Sequence, residues 1–347
     1  MDPFSNDEFD AIIRWYPTDQ TEKASARFAN QNIILAIGAQ CAPVSGAQAQ
    51  IERECLASAQ SIASSILLES PSLQGIQTFL LLAFYMLGAC RRNAAFMYLG
   101  VAARAAHALG LHNAKLYESL PASSVEQQYV LPFLARSKVT CANQFPSERI
   151  WKSLVTLEFV VTSILGREPA SLLTHPGHAN FDQMMHTRQR NTPDPALQAS
   201  YQLSWLINDV MSNFYQRETV TIEAAQLYME KIDIWLENLD ESLSLNDKPS
   251  VVEPEAWAQV IGSLHVSCFY HFAVTLICRP FLIQQLRRRL APGNPVNDST
   301  VGNPSFEDGP EVADLAEKCV TAARYMAETC AEVLQAGLFK ESMPLLK

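Results

Sequence analysis

Positive charge is scarce in this chain. Lysine and arginine together number 26 against 36 acidic residues, so the formal charge is −10. A broad phosphate-binding surface needs clustered cations that displace counterions, and this composition excludes one. Glycine is also scarce, at 13 of 347 residues, while hydrophobic residues make up 48% and charged residues only 18%. That balance excludes a disordered or low-complexity chain and predicts a core-rich globular one. Eight cysteines are present, but no two stand at Cys-x2-Cys spacing, which excludes a compact thiolate cluster for zinc. Gly-x-Ser-x-Gly, a Walker loop and a dinucleotide fingerprint are missing too, so no enzyme is expected. The two most apolar runs, 76–90 and 264–278, fall short of a bilayer crossing and are expected to be buried core helices, with no membrane partner.

Period-2 alternation is also absent, and helical periodicity dominates. The pattern predicts an all-α fold of packed antiparallel helices. Nine main helices are expected near 21–42, 47–69, 72–88, 93–110, 147–166, 195–216, 220–243, 253–290 and 311–337. Proline, glycine and serine mark the breaks: Pro43 and Gly46, Ser70-Pro71, Gly88, Gly110, Pro169 to Gly177, and Asn191 to Pro195. Residues 1–290 are expected to form one domain, 291–310 ("APGNPVNDSTVGNPSFEDGP") a flexible linker, and 311–347 a C-terminal helical segment packing on the same domain.

The stretch "RRNAAFMYLGVAARAAHALGLHN" (91–113) reads as a capped packing helix. Asn93 is its expected N-cap, and Gly110 suits a left-handed C′ position with Leu111 as the apolar follower. The alanines, with Gly100, are expected to let neighbouring helices approach closely.

Four segments in order carry a resemblance: "NIILAIGAQC" (32–41), "YMLGACRRNAAFMYLGVAARAAHALGLH" (85–112), "ERIWKSLVTLEFVVTSILGREP" (148–169) and "LHVSCFYHFAVTLICRPFL" (264–282). Together they resemble the regulatory domain of fungal transcription factors, the middle homology region that accompanies zinc binuclear cluster DNA-binding domains. The third is similar to the family's Arg-Arg-x-Trp-Trp helix ending in Leu-Gly-Arg-Pro. Here the paired arginines stand as Glu148-Arg149, the paired tryptophans as Trp151-Lys152 and the usual aspartate as Glu158, and Glu168 separates Arg167 from Pro169. The positions that the resemblance marks are Arg92, Tyr98, Arg104, Gly110, His112, Arg149, Trp151, Glu158, Gly166, Arg167, Arg279 and Pro280.

The resemblance implies a nuclear regulator of transcription. It implies zinc only in a DNA-binding cluster that this chain lacks, DNA contact only through that cluster, and a co-regulator protein, a small-molecule effector or a homodimer as partner. The alternative is a stand-alone helical scaffold or decoy that dimerises with full-length factors without binding DNA.

Local chemistry adds little to this. Glu158 falls seven residues after Trp151, on about the same helix face; a buried carboxylate there needs a partner, and Arg104 is the expected one. His107, His112, His265 and His271 lack metal-ligand spacing and are expected to be packing or surface residues. Cys319 and Cys330 face alike, three turns apart, too far for a mutual disulfide, and the cysteines in general read as reduced intracellular thiols. "LRRRL" (286–290) reads as a basic helix end. Residues 129–147 do not match the flanking pattern: they read as an in-frame retained intron, projecting as a loop, or as a lineage-specific loop.

Overall fold

The computed structural model describes residues 6–19, 21, 25–41, 46–66, 71–112, 146–171, 194–216, 220–243, 257–290 and 309–335. The described residues are all-α, as the periodicity predicts, with ten helices and no strand among them. Segment 129–145, most of the linker 291–310, and the chain after 335 lie outside the described residues. The described residues divide into two compact units, one ending at 171 and one spanning 194–335.

The first unit holds α1 (Asn6–Ile13), α2 (Ala26–Gln40), α3 (Gly46–Ile66), α4 (Leu73–Gly88), α5 (Arg92–Ala108) and α6 (Pro146–Leu165). Helix α1 has no counterpart among the helices expected from the sequence. Helix α4 is the centre of the unit, packing against α2, α3, α5 and α6. Ile76, Phe79, Leu80, Leu82, Ala83 and Met86 are all buried, and the helix buries most of its circumference, as expected of a helix apolar all round. Two buried polar side chains of this unit pair with each other. The Thr78 hydroxyl donates to Asn30 Oδ1 at 2.6 Å, and Asn30 Nδ2 donates to the Gln74 carbonyl at 3.3 Å. Such pairing removes the desolvation cost that a lone buried amide carries.

Side-chain caps start α2 and α4: Ser25 accepts from the Phe28 N–H and Ser72 from the Gly75 N–H. Helix α4 ends at Gly88, as the sequence predicts. Its left-handed residue follows at Cys90, at φ 57°; Cys90 N–H bonds to the Leu87 carbonyl and Arg91 N–H to the Met86 carbonyl. These two bonds make a Schellman ending. The path out of it puts Arg91 at the N-cap of α5, without a side-chain cap, and Asn93 lies exposed inside the helix rather than capping it.

Helix α5 is the packing helix that its composition predicts, with Ala95, Leu99, Ala102, Ala103, Ala105 and Ala106 buried against α4 and α6. Gly100 does not serve close approach, since a Cβ there would meet nothing within 4 Å. Gly110 does what was expected of it: at φ 75° it ends α5, with Gly110 N–H bonded to the His107 carbonyl and Leu111 N–H to the Ala106 carbonyl.

The second unit holds α7 (Pro195–Asp209), which continues as a π-helical turn (Val210–Gln216), then α8 (Ile222–Glu237), α9 (Trp257–Leu290) and α10 (Pro310–Gln335). Asp194 caps α7 with Pro195 at the first position, and Thr221 caps α8. At 34 residues α9 is long and apolar enough to cross a membrane by length and composition. Here α7, α8 and α10 pack along it, and a third of its most apolar stretch is buried. Helix α10 is strongly amphipathic: Val312, Leu315, Ala316, Cys319 and Ala322 repeat at helical spacing and are buried, and α10 packs along α9. At Gly262 an added Cβ would sit 2.9 Å from Ala196 Cβ, so α7 and α9 approach too closely there for a side chain.

Candidate functional site

The motif residues of the first unit converge at the C-terminal end of α5. The Gly110 turn folds His112 back over the last turn of the helix, so that His107 Nδ1 and His112 Nδ1 lie 3.2 Å apart. A hydrogen bond between two ring nitrogens requires one protonated and one bare nitrogen, so at least one ring is neutral. Burial, then the charge of His112, holds His107 below its ordinary value of 6.5. Trp151 of α6 covers the pair, with its ring centroid 5.5 Å from His107 and 6.4 Å from His112, both edge-to-face.

Two turns further along α6, Glu158 is completely buried. Its carboxylate accepts the Ala170 N–H at 2.8 Å and the Ser171 N–H at 3.1 Å. The expected partner, Arg104, lies exposed instead. The reason is local. The chain leaves α6 through Gly166 at φ 64° and turns back, so that the tight 170–171 turn presents two backbone donors to the carboxylate. Burial raises the Glu158 pKa, and the bonds from Ser171 and Ala170 oppose that rise without cancelling it. The backbone of the same Ser171 lies near enough to the His107 ring to oppose, in part, the lowering of its pKa by burial. Ser171 thus neighbours both Glu158 and the histidine pair, and the carboxylate ties the turn to α6.

The other marked residues lie around this latch or apart from it. Arg167 sets its guanidinium 4.9 Å from the centre of the Phe96 ring of α5. Tyr98 accepts a hydrogen bond from Gln60 Nε2 at 2.8 Å and meets Phe79 edge-to-face at 5.8 Å. Arg149 is half-buried, and Arg92 is exposed in the first turn of α5.

Arg279 and Pro280 belong to the second unit and form a separate assembly there. Proline has no N–H, so Pro280 leaves the Leu276 carbonyl without its helical donor. The Tyr215 hydroxyl, presented by the π-helical turn, fills that place at 2.5 Å. Arg279 lies 5.3 Å from the centre of the same tyrosine ring, and Phe281 is buried beside Phe214. Sequence reasoning missed Tyr215 and the pairing of His107 with His112. The one available signal was the proline itself, which demands a donor from elsewhere.

No group of three or more histidine, cysteine, aspartate or glutamate side chains is placed to hold a metal among the described residues. Neither site presents a nucleophile paired with a base. Each is a device for fixing a turn or a helix.

The family described as the fungal specific transcription factor domain matches residues 4–245, and the chain belongs to that family. The match spans α1 to α8 and includes the whole latch, whereas the segment 264–282 lies beyond it. Neither curated proteins nor solved structures gave a match. Membership supports a role in regulating transcription.

Proposed function

We propose that this chain is the regulatory part of a fungal zinc-cluster transcription factor. It acts in the nucleus and governs activation, and a zinc binuclear cluster outside these 347 residues contacts DNA. The family match over 4–245 carries this reading. The net charge of −10 supports it, because such a chain is poorly suited to holding phosphates itself. The latch residues act by holding structure, and catalysis is not part of the role. A co-regulator or a small-molecule effector supplies the regulatory input.

The test is to fuse the chain to a heterologous DNA-binding domain in fungal cells carrying a reporter, both alone and beside a constitutive activation segment. The expected result is a reporter output that differs from that of the DNA-binding domain without the chain, in either direction, and that Trp151→Ala alters. Output identical to the control in both formats, with the fusion shown to be nuclear and folded, would overturn the reading. A decoy would instead lower the output of a co-expressed full-length factor while doing nothing when tethered.

A further inference from the structure

Helices α9 and α10 run antiparallel with a readable register. The His271 and Tyr325 rings face each other with centroids 4.1 Å apart, and Cys319 Sγ lies 3.8 Å from the Thr275 carbonyl. Following the same register from His271–Tyr325 back by about one turn of α9 and forward by about one turn of α10 brings Cys268 opposite Cys330. The two thiols lie near enough to act on each other's titration. In the other direction along the interface, Cys278 and Cys319 form a second neighbouring pair. The two pairs differ in access: Cys278 and Cys319 are buried, at 0% and 2% exposure, whereas Cys268 and Cys330 are each partly open to solvent.

We propose that Cys268 and Cys330 form an oxidisable dithiol, a modification site that takes a hydroperoxide and closes as a disulfide between α9 and α10. The first step is attack of the Cys330 sulfur, as thiolate, on the terminal peroxide oxygen. The O–O bond breaks, an S–O bond forms, and one oxygen leaves as alcohol or water with the thiol proton. The resulting sulfenic acid lies beside Cys268, whose sulfur attacks it, forms the S–S bond and releases water. Two thiols lose two electrons and two protons, and the hydroperoxide takes both. Burial holds both thiols largely protonated, with Cys268 pushed up to about 11, so the first step is slow and the second, between adjacent groups, is fast. The consequence is a site that ignores brief oxidation and records sustained oxidation. The bond closes a loop across the segment between α9 and α10, which restricts the unfolded chain and stabilises the folded one.

The test uses the full chain at high dilution, treated with hydrogen peroxide, quenched with iodoacetamide, digested without reductant and mapped by mass spectrometry. The expected product is a linked peptide pair containing Cys268 and Cys330, with Cys278 and Cys319 recovered as free thiols. The midpoint of thermal unfolding should rise by several degrees on oxidation. That rise should be lost in both Cys268→Ser and Cys330→Ser and kept in Cys278→Ser. Recovery of Cys268 and Cys330 as separate sulfinic acids, or a dominant linkage to any other cysteine, would overturn the proposal. The peptide map of the unmodified chain decides the matter even if a serine variant fails to fold.

Discussion

Both units use polar and aromatic contacts, but the fully buried polar pairs stand in the first and the more extended set of aromatic contacts in the second. In the first, Asn30, Thr78 and Glu158 each meet a specific partner in the interior, and the half-buried histidines meet each other. In the second, Phe214 packs against Tyr228 and Phe281, Trp235 stacks on Tyr270, and His271 joins Tyr270 to Tyr325. The difference matters for tolerance. A polar pair accepts few substitutions, because losing one partner strands the other, whereas an apolar contact can be repacked by residues of similar volume. This gives a physical reason for a family pattern to be legible around the latch.

The comparison can be tested, and the largest expected effects are in the interiors. Trp235→Ala in the second unit and Trp151→Ala in the first each remove a buried indole, and each should cost about 3–5 kcal/mol by the usual scale of large-to-small changes. If the units unfold separately, hydrogen exchange should show each loss confined to its own unit. A loss spread evenly over both would break the comparison. Glu158→Gln is expected to cost about 1–3 kcal/mol, because the amide NH2 faces a backbone N–H that it cannot satisfy. A neutral result in chemical denaturation would mean that water replaces the carboxylate. Tyr215→Phe should cost about 1 kcal/mol or somewhat more, by returning the Leu276 carbonyl to an unsatisfied state. Its exchange signature should be faster opening of α9 near Pro280.

A smaller effect is expected from pH. His107 has a folded pKa below its ordinary 6.5, so the unfolded chain binds more protons in the window beneath that value. The stability it contributes is present above pH 6.5 and is lost as pH falls towards the folded value. Glu158, with a raised pKa, has the opposite slope and is most favourable below its ordinary 4.5. His271, depressed to about 4 by burial, slopes in the same sense as His107 but in the second unit. His107→Gln should therefore flatten the loss of first-unit stability as pH falls below about 6.5 and leave that of the second unchanged. Equal flattening of both would show that the rings are coupled.

What the sequence disclosed follows from how far its signals reach. Helix periodicity and caps are local, so the main helices and the role of Gly110 could be read directly. Contacts that cross a turn could not. Glu158 binds backbone donors 12 and 13 residues away, and backbone donors leave no mark in the sequence, which made a cation the natural partner to expect. His107 and His112 stand five apart, a spacing that means nothing on a helix and acquires meaning only when Gly110 reverses the chain. Asn93 is a good cap in isolation, yet the Schellman ending at Cys90 set the entry point first. Cys268 and Cys330 meet only through the register of two helices, which no local pattern encodes.

The carboxylate at 158 and the length of the turn it holds are a matched pair. Where the related pattern has an aspartate followed by Leu-Gly-Arg-Pro, this chain has a glutamate, whose arm is one methylene longer, and one additional residue, Glu168, between Arg167 and Pro169. The longer arm grips donors at 170 and 171, on the far side of the inserted residue. In this chain the two departures from the pattern meet in one contact. Shortening either one alone should pull the turn off its anchor, whereas shortening both should restore the grip in a more compact form.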